Sequence, residues 1–378
     1  MDINRTLRPQ IIKSLNEAQK GVVMYGPRQV GKTTLANEII GFLGGKALTL
    51  NGDQRGGWWE ALTSRELSKI KLLVSGYDIL FVDEAQRIPE IGLSLKIILD
   101  NFKGLKMIVT GSSSLDLASK ISEPLTGRAY SYKLWPISIG ELAQTNTAYE
   151  LEAGLEERLI FGSYPEIFSI SSAEARAEYL RNLLDTYLYK DLLEFGDIRN
   201  SAKIRDLLKL LAFQIGSQVS LAELATALEL SRVTVDRYID LLEKSFVIFR
   251  LGGFSRNLRK EVTKMDKIYF YDLGVRNALI GNLNLLKDRD DVGKLWENFL
   301  MVERAKRLSY AGEIYSHYYW RLSSGAELDL VEEGGGKLTG FEFKYSKKRT
   351  RVPKSWLGTY PGSGFAVINK DNWQEFVR

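Results

Sequence analysis

The sequence predicts an α/β protein: a parallel sheet around a phosphate-binding loop, then helices, a winged helix-turn-helix and a second α/β region. Three observations carry that prediction. Gly26-Pro27-Arg28-Gln29-Val30-Gly31-Lys32-Thr33-Thr34 follows the apolar run Val22–Tyr25 and opens a helical stretch, the strand–loop–helix setting a phosphate loop requires. Tyr77-Asp-Ile-Leu-Phe-Val-Asp83-Glu84 is an apolar run ending in two acids, as a buried parallel strand does at its active-site end. Near the other end, Ala326–Val331 and Gly340–Tyr345 alternate apolar and polar residues around a Gly334–Gly336 turn, which reads as a hairpin.

Composition bounds the chemistry. A chain of 378 residues implies roughly two to four domains. The absence of cysteine removes thiolate zinc sites, disulfides and cysteine nucleophiles. His317 is the single histidine, and its setting YSHYYW reads as a strand, so a structural or exposed role is expected there. The net charge of +5 permits an anionic partner, but only clustered cations argue for one. The start MDINRTLRPQ has no apolar core of a signal peptide, and no apolar run approaches membrane-spanning length. A cytoplasmic protein is the expectation.

In the phosphate loop, glycines let backbone amides curl around the β-phosphate, and the helix start favours negative charge. Lys32 is expected to reach the β- and γ-phosphates, and the Thr33 hydroxyl to ligate Mg²⁺. Residues Gly26 to Thr34 and Asp83 form the expected ATP-binding set. Asp83 would hold Mg²⁺ through water, and Glu84 would act as general base on the attacking water. A carboxylate beside the metal acid points to hydrolysis rather than phosphate transfer to a small acceptor. The next apolar run, Lys106–Thr110, ends in hydroxyls. Thr110 or Ser112 sits where related ATPases place a polar sensor of the γ-phosphate, and either could equally end the strand or cap a helix. Arg128 is a candidate arginine finger, in cis or from a neighbouring subunit of a homo-oligomer, with a plain surface arginine as the alternative.

Taken together, GPRQVGKTTL, ILFVDEAQRIP, VTGSSS and LTGRAYSYKLWPIS resemble the prokaryotic AAA-type ATPases that carry a C-terminal region of uncharacterised function. The resemblance runs along nearly the whole chain and implies the ATPase class, ATP and Mg²⁺ as ligands, and the order of domains. GSYPEIF, Gly162–Phe168, belongs to the pattern. Related switch ATPases touch the nucleotide with a Gly-x-Pro turn in a helical lid. Here the spacing is one residue longer, and Pro165 would be the corresponding adenine contact.

Between Gly140 and Asn200, apolar residues recur at three and four, predicting a helical lid and connecting helices. Asp191 and Glu194 fall on the solvated face of such a helix. From Lys203 to Phe249 the order is helix, short helix, tight turn, longer helix and strand, with Ser220 and Ser231 as N-caps. That order spells a winged helix-turn-helix. Its recognition helix begins at Arg232, with Thr234 and Arg237 in the first two turns. In the wing, Arg250, Arg256, Arg259, Lys260, Lys264 and Lys267 outnumber Glu261 and Asp266. This is a footprint for double-stranded DNA phosphates; docking of a protein is the alternative.

Finally, Gly293–Arg304 reads as a helix with Trp296 and Leu300 inward and Glu297 as its acid. Asp329 on one strand, with Glu342-x-Lys344 on its hairpin partner, resembles the PD-(D/E)xK nuclease pattern without the proline. That resemblance implies Mg²⁺ on Asp329 and Glu342, supported by Glu297. Lys344 would orient water and stabilise charge on the phosphoryl group. The basic run Lys347-Lys348-Arg349 adds phosphate affinity. The alternative is an amphipathic hairpin whose acids and lysines pair with each other. The expected division is 1–140 ATP-binding core, 141–200 lid, 201–285 winged helix-turn-helix and 286–378 nuclease-like domain. The expected function is an ATPase coupling nucleotide state to DNA binding, with metal-dependent DNA cleavage as an added activity. The rival is a nucleotide-driven signalling or assembly switch whose end domains dock proteins.

Overall fold

A computed structural model describes residues 3–17, 20–112, 124–185, 201–256, 265–322, 324–346 and 352–378. Contacts divide the chain into two compact units. One runs to Ile137 and includes Lys244–Phe246; the other comprises Ser138–Glu243 and Val247–Arg378.

The amino-terminal unit alternates strands and helices: α1 (Leu7–Glu17), β1 (Gly21–Tyr25), α2 (Lys32–Leu43), β2 (Ala47–Asn51), α3 (Trp58–Thr63), α4 (Leu67–Val74), β3 (Ile79–Asp83), α5 (Ile91–Asn101), β4 (Lys106–Gly111) and β5 (Ala129–Lys133). The strands form one sheet in the order β2-β3-β4-β1-β5, with every neighbouring pair parallel. β1, β3 and β4 are continuous apolar runs buried over almost their whole length, as expected where helices cover both faces. Val23, Leu80, Val82, Leu95, Ile98 and Val109 are at the centre of that core, each worth about 1.5–3 kcal/mol on burial. Because the strands are parallel, their carboxyl ends share one edge. Asn51 lies beside Asp83, and Tyr25 beside Gly111. The segments after β1, β3 and β4 therefore converge there, which is where ligands bind in sheets of this kind.

The carboxy-terminal unit opens with α6 (Ile139–Leu142), α7 (Ala148–Ala153), α8 (Leu155–Phe161) and α9 (Ala173–Leu183). Ser138 with Glu141 and Thr147 with Glu150 form capping boxes, which fix the starts of α6 and α7. Next come α10 (Ser201–Phe213), α11 (Leu221–Leu228), α12 (Arg232–Lys244), the antiparallel pair β6 (Ile248–Leu251) and β7 (Lys267–Phe270), and α13 (Leu273–Leu279). Ser220 caps α11, Glu229 ends it in the left-handed region, and the Ser231 hydroxyl accepts from Thr234 N at 3.1 Å to start α12.

The chain closes with α14 (Val292–Ala311), β8 (Ser316–Arg321), β9 (Glu327–Gly334), β10 (Lys337–Phe343), α15 (Lys354–Thr359), β11 (Gly364–Ile368) and α16 (Trp373–Val377). The sheet order is β11-β10-β9-β8, antiparallel except for β10 with β11. Gly335 and Gly336, at φ 57° and 74°, make the β9–β10 turn. Trp296 and Leu300 are fully buried on α14, as their spacing predicts.

Helices α8 and α9, in the segment expected as a nucleotide lid, pack on α13 within this unit, and α8 also meets α14. Asn277 of α13 donates to the carbonyls of Leu159 and Ile160 at 2.9 and 2.8 Å, satisfying the end of α8. The GSYPEIF turn is bound the same way. Gly162 is at φ 74°, and the carboxylate of Asp272 accepts from Ser163 N at 2.7 Å and Val275 N at 3.1 Å. Pro165 opens a short 3-10 turn. Asp191 and Glu194 lie outside the described residues.

Candidate functional site

At the carboxyl edge of the parallel sheet, the segment from Gly26 to Gly31 turns the chain from β1 into α2. Gly26 is at φ 149°, and a Cβ there would sit 2.1 Å from the Leu134 carbonyl oxygen. Gln29 and Gly31 are also left-handed, at φ 59° and 90°. No side-chain-bearing residue fits at Gly26, which is the physical content of the glycine in the motif. Lys32 is buried, and its ammonium donates to the Gly26 and Pro27 carbonyls at 3.0 and 2.7 Å. Arg28, Val30 and Thr34 complete the loop and the first turn of α2. A residue that sequence reasoning missed holds the loop from behind. Arg5, buried at 7% exposure, donates to the Val30 and Trp135 carbonyls, both at 2.6 Å. No local pattern marks that arginine.

From the first turn of α2, the Thr33 hydroxyl donates to both Asp83 oxygens at 3.1 Å. The Thr110 hydroxyl donates to Asp83 Oδ1 and accepts from Glu84 N at 3.2 Å. Glu84 takes the left-handed conformation at φ 48°, a strained backbone that functional residues often carry. Its Oε2 accepts from Gln86 Nε2 at 2.5 Å, and the same amide donates to Ser112 Oγ at 2.9 Å. Loop, hydroxyl, metal-type acid and base-type acid are thus linked by one hydrogen-bond chain. The donor set fits Mg²⁺-nucleotide: loop backbone amides and the Lys32 ammonium for phosphates, and hard oxygens from Thr33 and Asp83 for the ion. Gln86 went unnoticed in the sequence, although it lies two residues after the acid.

Arg128 is elsewhere. It precedes β5, and Gly21 N donates to its carbonyl at 2.9 Å, so it marks the edge of the sheet where β1 begins. The phosphate loop follows the far end of β1, roughly five residues and about 16 Å away at about 3.3 Å per residue. Its guanidinium pairs with Asp100 at 2.7 Å on the surface. The finger role in cis is therefore corrected, because strand direction puts Arg128 at the wrong edge.

In the carboxy-terminal unit, Arg232, Arg237 and Arg256 are exposed and make no ion pair among the described residues. Arg259, Lys260 and Lys264 lie outside the described residues, as do Lys347, Lys348 and Arg349. Two cations of the expected footprint are spent internally. Arg250 is held by Asp236 and Glu243, each at 3.0 Å, and by Asp240. Lys267 is 3% exposed and pairs with Glu327 at 2.6 Å and Glu297 at 3.2 Å. The wing is less basic than its composition suggested, because these two charges are neutralised inside the fold.

The same Lys267 belongs to a cluster with the expected nuclease acids. Glu297 Oε1 also accepts the Tyr269 hydroxyl at 2.7 Å. Asp329 Oδ2 accepts from Phe343 N at 2.7 Å, and Glu342 pairs with Lys344 at 2.6 Å. Burial, with Glu297 and Glu342 nearby, pushes the Asp329 carboxyl up to about 8. Burial would pull Lys267 down, but Glu297, Asp329 and Glu327 outweigh it and raise its pKa. Among the described residues no group of three or more His, Cys, Asp or Glu side chains is arranged to hold a metal ion. The cluster as it stands does not fit Mg²⁺.

No helix among the described residues is long and apolar enough to cross a membrane. Comparison with known proteins places these observations. A family model described as "AAA domain" matches residues 18–143. Two described as domains of unknown function, DUF8612 and DUF4143, match 152–286 and 292–375. The uncharacterized protein Rv2008c of Mycobacterium tuberculosis is 30% identical over 336 residues, covering 88% of this chain and 71% of its own length. The uncharacterized protein MJ1544 of Methanocaldococcus jannaschii is 27% identical over 323 residues, covering 81% and 70%. Among solved structures, a Walker-type ATPase of Pyrococcus abyssi is 16% identical, with 74% of this chain and 96% of that one covered and a TM-score of 0.48.

Proposed function

The chain belongs to the same family as the mycobacterial protein Rv2008c, and its amino-terminal unit carries an AAA-type P-loop ATPase domain; from that premise we propose an ATPase that couples its nucleotide state to double-stranded DNA. The single observation that carries the ATPase part is the hydrogen-bond chain running from Thr33 through Asp83 and Thr110 to Glu84 and Gln86. When bound, Mg²⁺-ATP supplies the scissile phosphoanhydride and charge neutralisation. The chain's own residues do the rest. Amides from Gly26 to Thr33 and the Lys32 ammonium take the β- and γ-phosphates, and Thr33 and Asp83 fix the ion. Glu84 accepts the proton of the attacking water, held in orientation by Gln86. A finger from Arg128 would have to come from a second copy of the chain, making a homo-oligomer.

For DNA, α10 to α12 with β6–β7 supply the elements of a winged helix-turn-helix, and α12 presents Arg232 and Arg237 at its start. Binding of this kind is dominated by phosphates and falls with salt. Titrating a fluorescent duplex at several salt concentrations tests it. Arg232→Ala/Arg237→Ala should cut the salt slope by about two units, roughly one per cation. Absence of duplex binding by the full chain at low salt removes the DNA reading. In that event a docking switch is the surviving function, favoured by Val233, 79% exposed on the first turn of α12, and by the internal pairing of Arg250 and Lys267. DNA cleavage through Asp329, Glu342, Lys344 and Glu297 is no part of the proposal, since that cluster does not fit the ion.

A further inference from the structure

We propose that Lys267 stands in the carboxy-terminal acidic cluster where a nuclease would place its divalent cation, so that this centre is closed to metal and does not hydrolyse phosphodiesters. The ammonium is compact, positive and carries three donors, and it meets carboxylates from two different elements. Those are Glu297 of α14 at 3.2 Å and Glu327 of β9 at 2.6 Å. Tyr269, two residues along the same strand, puts its hydroxyl on the same Glu297 oxygen at 2.7 Å. Each remaining expected ligand has an oxygen committed to a protein donor: Asp329 to Phe343 N, and Glu342 to Lys344. Mg²⁺ asks for near-octahedral oxygen ligands at about 2.0–2.1 Å, and the Glu297 oxygen that would serve it already accepts both the ammonium and the Tyr269 hydroxyl.

Nor is Lys267 free to leave. Its backbone is pinned on both sides, opposite Leu251 in the β6–β7 pair and bridged to Gln218. The neighbouring Ile268 carbonyl and Asp266 carbonyl accept from Gly216 N and Val219 N, both at 2.9 Å. Withdrawing the side chain would strand Glu297 in the interior without its counter-charge, a costly state. The lysine also ties the β6–β7 pair to α14 and β9, so the cluster braces the elements of this unit rather than opening to a substrate.

The experiment counts bound Mn²⁺ by electron paramagnetic resonance on the full chain without nucleotide. Wild type and Asp329→Asn should give the same isotherm. Lys267→Gln should gain one bound Mn²⁺ per chain, and Lys267→Gln/Asp329→Asn should lose it again. The proposal is overturned if wild type holds an ion that Asp329→Asn removes, or if folded Lys267→Gln gains none. Supercoiled plasmid in Mg²⁺ gives a second reading that needs no folded Lys267 variant. Wild type should leave it intact, and nicking by wild type that Asp329→Asn abolishes also overturns it.

Discussion

Replacing Gln86 by alanine isolates what orients the proposed general base. The Gln86 amide donates to Glu84 Oε2 at 2.5 Å and to Ser112 Oγ at 2.9 Å, so its removal deletes one short bond to a carboxylate and frees Glu84 to rotate. A hydrogen bond to a charged group contributes about 1.5–3 kcal/mol. At about 1.4 kcal/mol per tenfold change, kcat for ATP should fall about 10- to 100-fold. KM should hold, because Gln86 is not among the phosphate-binding groups. The loss should stay below that of Glu84→Gln, since a misplaced base still accepts protons while removal of a base costs about 10²–10⁴. Steady-state phosphate release measures both constants. In the Glu84→Gln background the Gln86 change should have little further effect, because the two act as one unit. Unchanged kcat in Gln86→Ala, or the same fold loss in both backgrounds, would refute the positioning role.

Other predictions concern the carboxy-terminal unit. In Gly162→Ala the new Cβ would sit 2.0 Å from Asp272 Oδ1 at φ 74°. A positive-φ backbone with ψ −156° admits essentially only glycine and costs about 1–3 kcal/mol, and a displaced carboxylate–amide bond costs about 1.5–3, for a loss of about 3–6 kcal/mol in urea unfolding. Gly281→Ala, at φ 66° with no atom within 4 Å, should lose only its positive-φ cost; equal losses would contradict the Asp272 clamp. Burial pushes the Glu332 carboxyl up, but Arg304 and His317 outweigh it and hold it at about 2, against 4.5 ordinarily. A depressed folded value stabilises above the unfolded pKa, so wild type should exceed Glu332→Gln by about 3 kcal/mol at pH 7. That gap should close as pH falls from 4.5 toward 2; a pH-independent gap would remove the ion-pair explanation.

What the sequence revealed follows from which interactions are local. The phosphate loop was legible because its backbone demands glycine at Gly26 and a helix start directly after Gly31. The strand ending in Asp83 and Glu84 was legible because a run buried on both faces must be apolar until it reaches the edge. The β9–β10 hairpin showed itself by alternation and its glycine turn. Long-range choices were hidden. Arg5, two residues ahead of α1, reaches the loop through tertiary packing alone, and nothing near it in the chain announces that. Arg128 looked like a finger because spacing carries no information on which edge of a sheet a residue occupies. Counting charges in the wing overstated its basicity, since Arg250 and Lys267 turn inward onto acids from other elements. A signal did exist for Lys267: it begins the buried run Lys-Ile-Tyr-Phe, and a lysine in such a run must find a carboxylate.

The most direct test of the account measures ATP turnover by the full chain with and without duplex DNA at low salt. Wild type should hydrolyse ATP, Lys32→Ala should not, and duplex should change the wild-type rate. That change should be lost in Arg232→Ala/Arg237→Ala. Turnover indifferent to duplex at every DNA concentration would contradict the claim that nucleotide and DNA are coupled in this chain.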